Sequence, residues 1–530
     1  MPESYQNPAG QTKFESFIRW FFLIVFTCVI LFLFFLALTK STAIDIDEVC
    51  HILADNPIKG LAVILIGMAA VCILKEYTLK HPPVCPPAQT RRIMCGILAF
   101  VGFCWVTVIL LYDLRPWADQ AYACRVAMEL RLGGYSAFEP GGYLDRYPNN
   151  AGMVLVMYYL SFFFGPQCYR VFQLLNVGMM LAGIVLLYKL SGKLFPEASR
   201  FSRFLTFLLA AVFTPYQYYT TFVYGTAGGY TLVLLAVYCA YLFWEGHRFR
   251  YAIFAALAIA AAVVLKQNYY IEFIALLIFF VIDLLKTKSG KSLLALVVLI
   301  AAAAASGFMA RQVLTHITGM PLGGGVPSSS WIQMGLTSGS DTPLQHKEDA
   351  LGPGWYDEYN YDIYTENDFD SDRTAQAVKE DLRHTADYYA AHPSQLADFL
   401  CRKVITMWTA PCFEGPWLQR NTAWFSEGSL YNETNAEFKL FDLFQTFILF
   451  GVLAYLLINA KTLKLNTLLL PAAFIGGFVF LLFWEAKAQY TVAYFYSLIP
   501  FAGAGIDGLA CRLRETKVFG MLARLGQRKN

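Results

Sequence analysis

The segment Tyr112–Asn150 reads YDLRPWADQAYACRVAMELRLGGYSAFEPGGYLDRYPNN. It sets Asp113, Asp119, Glu129, Glu139 and Asp145 among aromatic residues and paired glycines. Three further polar clusters stand out: Tyr143–Pro148 (YLDRYP), Lys266-Gln267-Asn268, and Glu485–Tyr490 (EAKAQY). A carboxylate can take a proton from a hydroxyl as that hydroxyl attacks. Lysine or arginine can hold a phosphate and stabilise it as it leaves. Together these residue types describe group transfer from a lipid-linked phosphodiester. Each also has a plainer reading. Asp119 could cap a following helix, and Asp113 could simply sit at the end of a span. Lys266 and Lys487 could snorkel to lipid headgroups. Arg146 could pair with Asp145, and Asn268 and Gln489 could cap helices.

The elements that must position these groups are apolar. Of 530 residues, 57% are hydrophobic and only 15% charged, against about 25% charged in an ordinary soluble domain. Near-continuous runs such as 21–38 and 474–484 predict a polytopic membrane protein. The first run is long enough to span and lacks a convincing small-residue cleavage site, so it reads as a retained span. Thirteen apolar runs are visible, among them 93–112, 151–165, 171–190, 204–222, 250–265 and 268–286.

The positive-inside rule orders them. Lys13 and Arg19 place the start in the cytoplasm, and Lys80, Arg91 and Arg92 do the same for the loop 76–92. The acids of loop 40–59 suit the outside, and run 93–112 then carries the 113–170 loop outside. If both 151–165 and 171–190 crossed, Lys189, Lys193, Arg200 and Arg203 would lie outside, and every later basic loop would be inverted. Run 151–165 is short and ends at Gly165-Pro166. The expectation is therefore a juxtamembrane helix that does not cross, with about twelve spans and both termini cytoplasmic. The chain divides into an N-terminal transmembrane module (1–310), a mostly α extracytoplasmic domain (311–440), and C-terminal spans with a basic tail (441–530). The middle segment holds 18 Asp/Glu against 9 Lys/Arg. The basic excess elsewhere reads as cytoplasmic-loop charge, not a nucleic-acid surface. One long helical segment is expected from Thr374 to about Met407. Glycines at 323–325 and 352–354 suggest flexible covers.

No Walker A, HExxH or GxSxG motif is present, and the seven histidines form no close ligand pair. The run Asp368–Asp372 (DFDSD) reads better as a solvated loop than as a cation site. Twelve cysteines show no CxxC; Cys401 and Cys412 are a possible pair.

Trp117–Leu130 (WADQAYACRVAMEL), the following GGYLDRYPNNAGMVLVMYYLSFFFG, the Lys266/Asn268 turn and WEAKAQY resemble the GT-C superfamily of polyprenyl-phosphate-dependent glycosyltransferases. That group includes protein O-mannosyltransferases and bacterial aminoarabinose transferases. Members carry an acidic residue, typically Asp-Glu or a similar pair, in the first large external loop. Here the position holds Asp119-Gln120, and the loop follows the third span, not the first. The resemblance implies an inverting hexosyl or pentosyl transferase of a cytoplasmic membrane, active on the outer face. It implies a polyprenyl-phosphate-linked sugar donor and a glycan, lipid or protein acceptor in the cell envelope. On this reading Asp119 is the general base, with Asp113 as a second carboxylate. Lys487, ranked first, and Lys266 or Arg146 bind the donor phosphate. Gln120, Tyr143, Asp145, Tyr147, Asn268, Glu485, Gln489 and Tyr490 line the sugar pocket. No cofactor or metal site is expected, although a divalent metal stays open. The rival readings are a lipid-linked sugar or polysaccharide transporter or flippase, and a glycan polymerase or ligase.

Overall fold

A computed structural model describes residues 13–45, 47–80, 87–347, 351–419 and 436–515. The protein is an all-α polytopic membrane protein. Helix α1 (Lys13–Thr39) rises about 40 Å at 1.5 Å per residue, enough to cross a bilayer. It leads into an antiparallel hairpin, β1 (Lys40–Ile44) and β2 (Cys50–Ala54), registered with Lys40 opposite Ala54. Helices α2 (Pro57–Lys80) and α3 (Pro87–Leu111) follow. Large apolar side chains on all three helices, such as Phe17, Leu65 and Phe103, face outward. Such faces need lipid around them. A buried ion pair between Lys75 and Asp507 ties α2 to the last helix of the chain.

The next stretch builds a shelf beside the bundle. Helix α4 (Asp119–Arg131), the short α5 (Tyr143–Arg146) and α6 (Ala151–Phe164) precede the long α7 (Cys168–Leu194). Ala123, Val126, Ala127 and Leu130 of α4 pack on Val154 and Met157 of α6. Arg131 donates to the Ser161 carbonyl at 2.7 Å. At fourteen residues, α6 is about 21 Å long, short of the roughly 30 Å hydrocarbon layer. It stops where Gly165 turns to φ +55° ahead of Pro166.

Helices α8 (Arg200–Val212), α9 (Thr214–Gln217), α10 (Thr226–Gly246), α11 (Phe249–Leu265), α12 (Tyr270–Thr287) and α13 (Gly290–Thr318) complete the N-terminal module. The sequence predicts one uninterrupted span over 204–222. Instead α8 ends at Val212, Pro215 sits in α9, and residues 218–225 are largely irregular. Buried amides satisfy that backbone. Gln173 donates to the Thr221 and Leu114 carbonyls, both at 2.8 Å, and Asn176 donates to Phe222 at 3.0 Å. Irregular backbone at such a position survives only when the protein itself supplies its partners.

Helices α14 (Ser329–Thr337), α15 (Tyr359–Glu366), α16 (Ser371–Ala391) and α17 (Pro393–Trp408) follow between α13 and the C-terminal helices. The single helix expected from Thr374 to Met407 is two helices, because Pro393 has no N–H to continue the ladder. Asp370 in DFDSD caps α16 through the Asp372 and Arg373 amides at 2.9 Å. Cys401 and Cys412 are both free thiols. Helices α18 (Ala436–Asn459), α19 (Leu469–Phe483) and α20 (Val492–Arg514) close the bundle. Among the described residues nine segments are long and apolar enough to cross, with α6 and α7 counted as one. The expected twelve is reached only by adding α8, α11 and α12, which are shorter or more charged.

Candidate active site

The site is built around the start of α4. Ala118 occupies φ +48°, ψ −136°, a conformation that costs a non-glycine residue about 1–3 kcal/mol. It turns the chain so that Asp119 is the first helical residue, not its cap. Among the described residues no hydrogen bond or ion pair engages the Asp119 carboxylate. By area the residue is open to solvent, yet protein surrounds it on most sides. That combination describes a carboxylate lining a cavity. Enclosure raises its pKa above the usual aspartate value, and the charges of Lys487 and Arg146 oppose the rise.

Tyrosines wall this cavity. Tyr143 stacks on Tyr122 with ring centres 5.3 Å apart and meets Tyr147 edge-on at 5.6 Å. The Tyr143 hydroxyl accepts from Asn150 at 2.8 Å, and the Tyr224 hydroxyl donates to the other end of that amide at 2.7 Å. Tyr147 accepts from Asn360 at 3.3 Å and shares a hydrogen bond with Tyr356. Beyond it, Trp331 and Trp484 stack at 5.9 Å. Tyr143, Tyr147, Tyr224, Tyr356 and Tyr490 all feel the charge of Asp119.

Two cations touch these tyrosines without a carboxylate partner among the described residues. The Arg146 guanidinium lies over Tyr147 (5.3 Å) and Tyr361 (4.9 Å), and its Nε is buried without an acceptor. Lys266 follows the last turn of α11. Its ammonium lies over the rings of Tyr224 (5.8 Å) and Tyr490 (5.3 Å) and donates to Thr226 at 3.3 Å. Burial lowers its pKa to about 8, even though Glu272, Glu414 and Glu485 favour its charge. It lines a narrow cleft of about 30 Å³ with Asn268, Gln489 and Tyr490, bounded by Ile271 of α12 and by Phe480 and Leu481 of α19.

The Glu485–Tyr490 segment reaches this cavity through the α14–α17 segment. Ala486 pairs with Trp355 in a short parallel bridge, and the Ala486 amide donates to Gly354 at 2.6 Å. The glycines expected to be flexible therefore anchor the site. Gly325, at φ +75°, packs against Pro148 while Val326 N–H donates to the Arg146 carbonyl at 3.0 Å. Lys487 is already engaged: Glu48 of the hairpin holds it at 2.6 Å, and Trp417 lies under it at 5.4 Å. Glu48, Glu414 and Glu485 together push its pKa up despite burial. Glu485 is buried, accepts from the Tyr490 hydroxyl at 3.3 Å, and has its pKa lifted to about 7 by desolvation.

Other sequence candidates are occupied elsewhere. Asp113 is not a spare base. Arg115 (2.6 Å), Arg170 (2.9 Å) and Tyr169 engage it, and these hydrogen bonds, led by Tyr169 and Arg115, hold its pKa below the usual value. Gln120 turns inward, where its carbonyl accepts from Val223 N–H at 2.7 Å. Asp145 accepts from Gly141 N–H at 2.9 Å and Tyr364 at 3.3 Å, and so closes a turn. It makes no ion pair with Arg146.

Four important groups escape a sequence reading. Glu48 lies in an acidic loop whose charge was visible but whose target was not. Glu414 is buried at φ +57°, accepts from Gln489 N–H at 3.1 Å, and has its pKa raised to about 7, chiefly by burial. Tyr224 follows the unpredicted break after α8. Lys403 of α17 is fully buried and donates to the carbonyls of Gly335 (2.5 Å), Trp484 (2.6 Å) and Leu482 (3.1 Å), pinning the α14–α17 segment to the end of α19. Its only local signal is a lysine on the apolar face of an amphipathic helix.

No family model and no curated protein matches the chain. Among solved structures it overlaps the archaeal oligosaccharyltransferase AglB from Archaeoglobus fulgidus in complex with an inhibitory peptide and a dolichol-phosphate. That overlap has 12% identity and a TM-score of 0.41, over 82% of this chain and 52% of that one. The Archaeoglobus fulgidus oligosaccharyltransferase complexed with Zn and sulfate gives 12% identity and a TM-score of 0.39, over 81% of this chain and 51% of that one. The chain thus spans about half the length of the structures it matches.

Proposed function

We propose that the protein is a GT-C type glycosyltransferase that moves a sugar from a polyprenyl-phosphate donor to a cell-envelope acceptor on the outer face of a cytoplasmic membrane. One observation carries this reading: Asp119, a carboxylate without a partner among the described residues, lies in reach of the Arg146 charge and of Tyr224 and Tyr490, whose rings carry the Lys266 ammonium, and neither cation has a carboxylate partner among those residues. Asp119 takes the proton of the acceptor hydroxyl as its oxygen attacks the anomeric carbon. The bond from that carbon to the phosphate oxygen breaks, and its electron pair leaves with the phosphate. Attack from the face opposite the phosphate inverts the anomeric centre. Lys266 and Arg146 neutralise the charge that gathers on the leaving phosphate. Lys266 takes the first place, because Glu48 already satisfies Lys487. Lys487 then acts by holding down the pKa of Asp119. Tyr147, Tyr224 and Tyr490 offer ring faces and hydroxyls to the sugar, and the Lys266 cleft takes the phosphate end of the lipid. The acceptor is a glycan, lipid or protein hydroxyl.

The test is transfer from a polyprenyl-phosphate sugar by purified protein in vesicles, read as released polyprenyl phosphate. Asp119→Asn should lower turnover by about 10²–10⁴-fold, the usual contribution of a general base. Unchanged turnover in that variant would remove Asp119 from the chemistry.

A further inference from the structure

Glu272 stands one turn into α12 and is only 4% exposed. It lines the Lys266 cleft, and its Oε2 is buried with no hydrogen-bond partner among the described residues. A buried polar atom without a partner costs about 1–3 kcal/mol, more if charged, so a protein keeps one where a ligand completes it. The Glu485–Tyr490 segment sets Gln489 and Tyr490 in the same lining. Helix α10 presents Tyr230, and α20 presents Tyr494. The turn before α12 presents Lys266 and Tyr269. The α19 side of the cleft is Phe480 and Leu481, and α13 contributes no residue to the lining. Glu414 and Glu485 lie beyond Lys266 and act on it electrostatically. The cleft thus offers one ammonium and one carboxyl to whatever enters it.

An anionic phosphate entering there meets Lys266 favourably. An ionised Glu272 beside it would place two like charges in one buried space. A protonated Glu272 would instead donate its O–H to a phosphate oxygen and satisfy the orphaned atom. We propose that Glu272 is a second ligand of the lipid phosphate, opposite Lys266, and that it must carry its proton to bind. This rests on the phosphate-binding role given to Lys266 above. Binding then takes up one proton, so affinity falls as Glu272 ionises on raising the pH. Glutamine keeps a donor at the same place and should bind without that dependence.

The probe is farnesyl methyl phosphate, a diester that does not titrate near neutral pH, measured by calorimetry on the full-length protein in detergent between about pH 6 and pH 10, in the wild type and in Lys266→Arg, whose guanidinium keeps its charge across that range. The expected result in both is affinity that holds at the acid end and falls at the alkaline end by as much as tenfold per pH unit, with proton uptake there seen as a buffer-dependent heat; the next two substitutions are made in the Lys266→Arg background. Glu272→Gln should flatten the profile and hold the low-pH affinity, while Glu485→Gln should leave the slope in place. Wild-type binding that is independent of pH, or an unchanged slope in Glu272→Gln, would overturn the role of Glu272 and leave the phosphate site standing. Absence of any probe binding, with Lys266→Gln indistinguishable from wild type, would overturn both.

Discussion

The most discriminating prediction concerns the charge pair behind the proposed base. Lys487 is the largest charge opposing the upward shift of Asp119, and Glu48 acts in the opposite direction. The two are also locked to each other at 2.6 Å. Lys487→Gln removes the cation and leaves Glu48 uncompensated, so both changes raise the Asp119 pKa. Glu48→Gln removes the anion and frees the cation, so both changes lower it. A unit charge about 8 Å away in a medium of effective dielectric about 20 is worth about 2 kcal/mol, or somewhat over one pKa unit before screening. A base works in its deprotonated form. Activity is therefore present above the Asp119 pKa and lost as pH falls through it. The acid limb of kcat/KM, which reports the free enzyme, should move about one unit up in Lys487→Gln and about one unit down in Glu48→Gln. The assay is the initial rate of polyprenyl phosphate release at low donor across the acid range. Below the limb, Lys487→Gln should be about tenfold slower than wild type and should recover as the pH is raised. Glu485 feels the same two charges, so Asp119→Asn serves as the control and should leave no acid limb of the original size. Two limbs that stay in place, or that move in the same direction, would refute Asp119 as the titrating base.

Four further outcomes are expected. Lys266→Gln should lower kcat/KM by about 10–100-fold, the value of a charge-assisted contact, whereas Lys266→Arg should retain most of it in the same assay. Ala118→Gly should raise stability by about 1 kcal/mol, because glycine adopts the φ +48° backbone without strain; thermal unfolding with unchanged turnover checks this. Lys403→Met should lower the melting temperature sharply, since it leaves three carbonyls without their donor, each worth about 1–3 kcal/mol when buried. Cysteines placed at Leu132 and Glu197, both exposed, should react with impermeant reagents from opposite sides of the membrane. Labelling of both from the same side would mean that α7 does not separate them.

Much of the framework was legible along the chain, because burial in lipid demands long apolar runs and those runs are local. The all-α polytopic membrane class stands out in that way. The break after α8 did not. Val212, Phe213 and Phe222 are as apolar as a span requires, and only the amides of Gln173 and Asn176, in another helix, make an interruption there tolerable.

Hydropathy and residue type determined where chemistry could sit; tertiary structure decided which group is free to do it. Asp119 and Gln120 are adjacent, yet a helix turns them about 100° apart, so one faces the cavity and the other binds Val223. Asp113 and Asp119 are chemically alike. Arg170, 57 residues on, occupies the first, and among the described residues no hydrogen bond or ion pair engages the second. Lys487 and Lys266 both end apolar runs, but Glu48, 439 residues away, holds only Lys487. Partners that far apart leave no local trace in a sequence. The availability of a charge is a property of the folded chain.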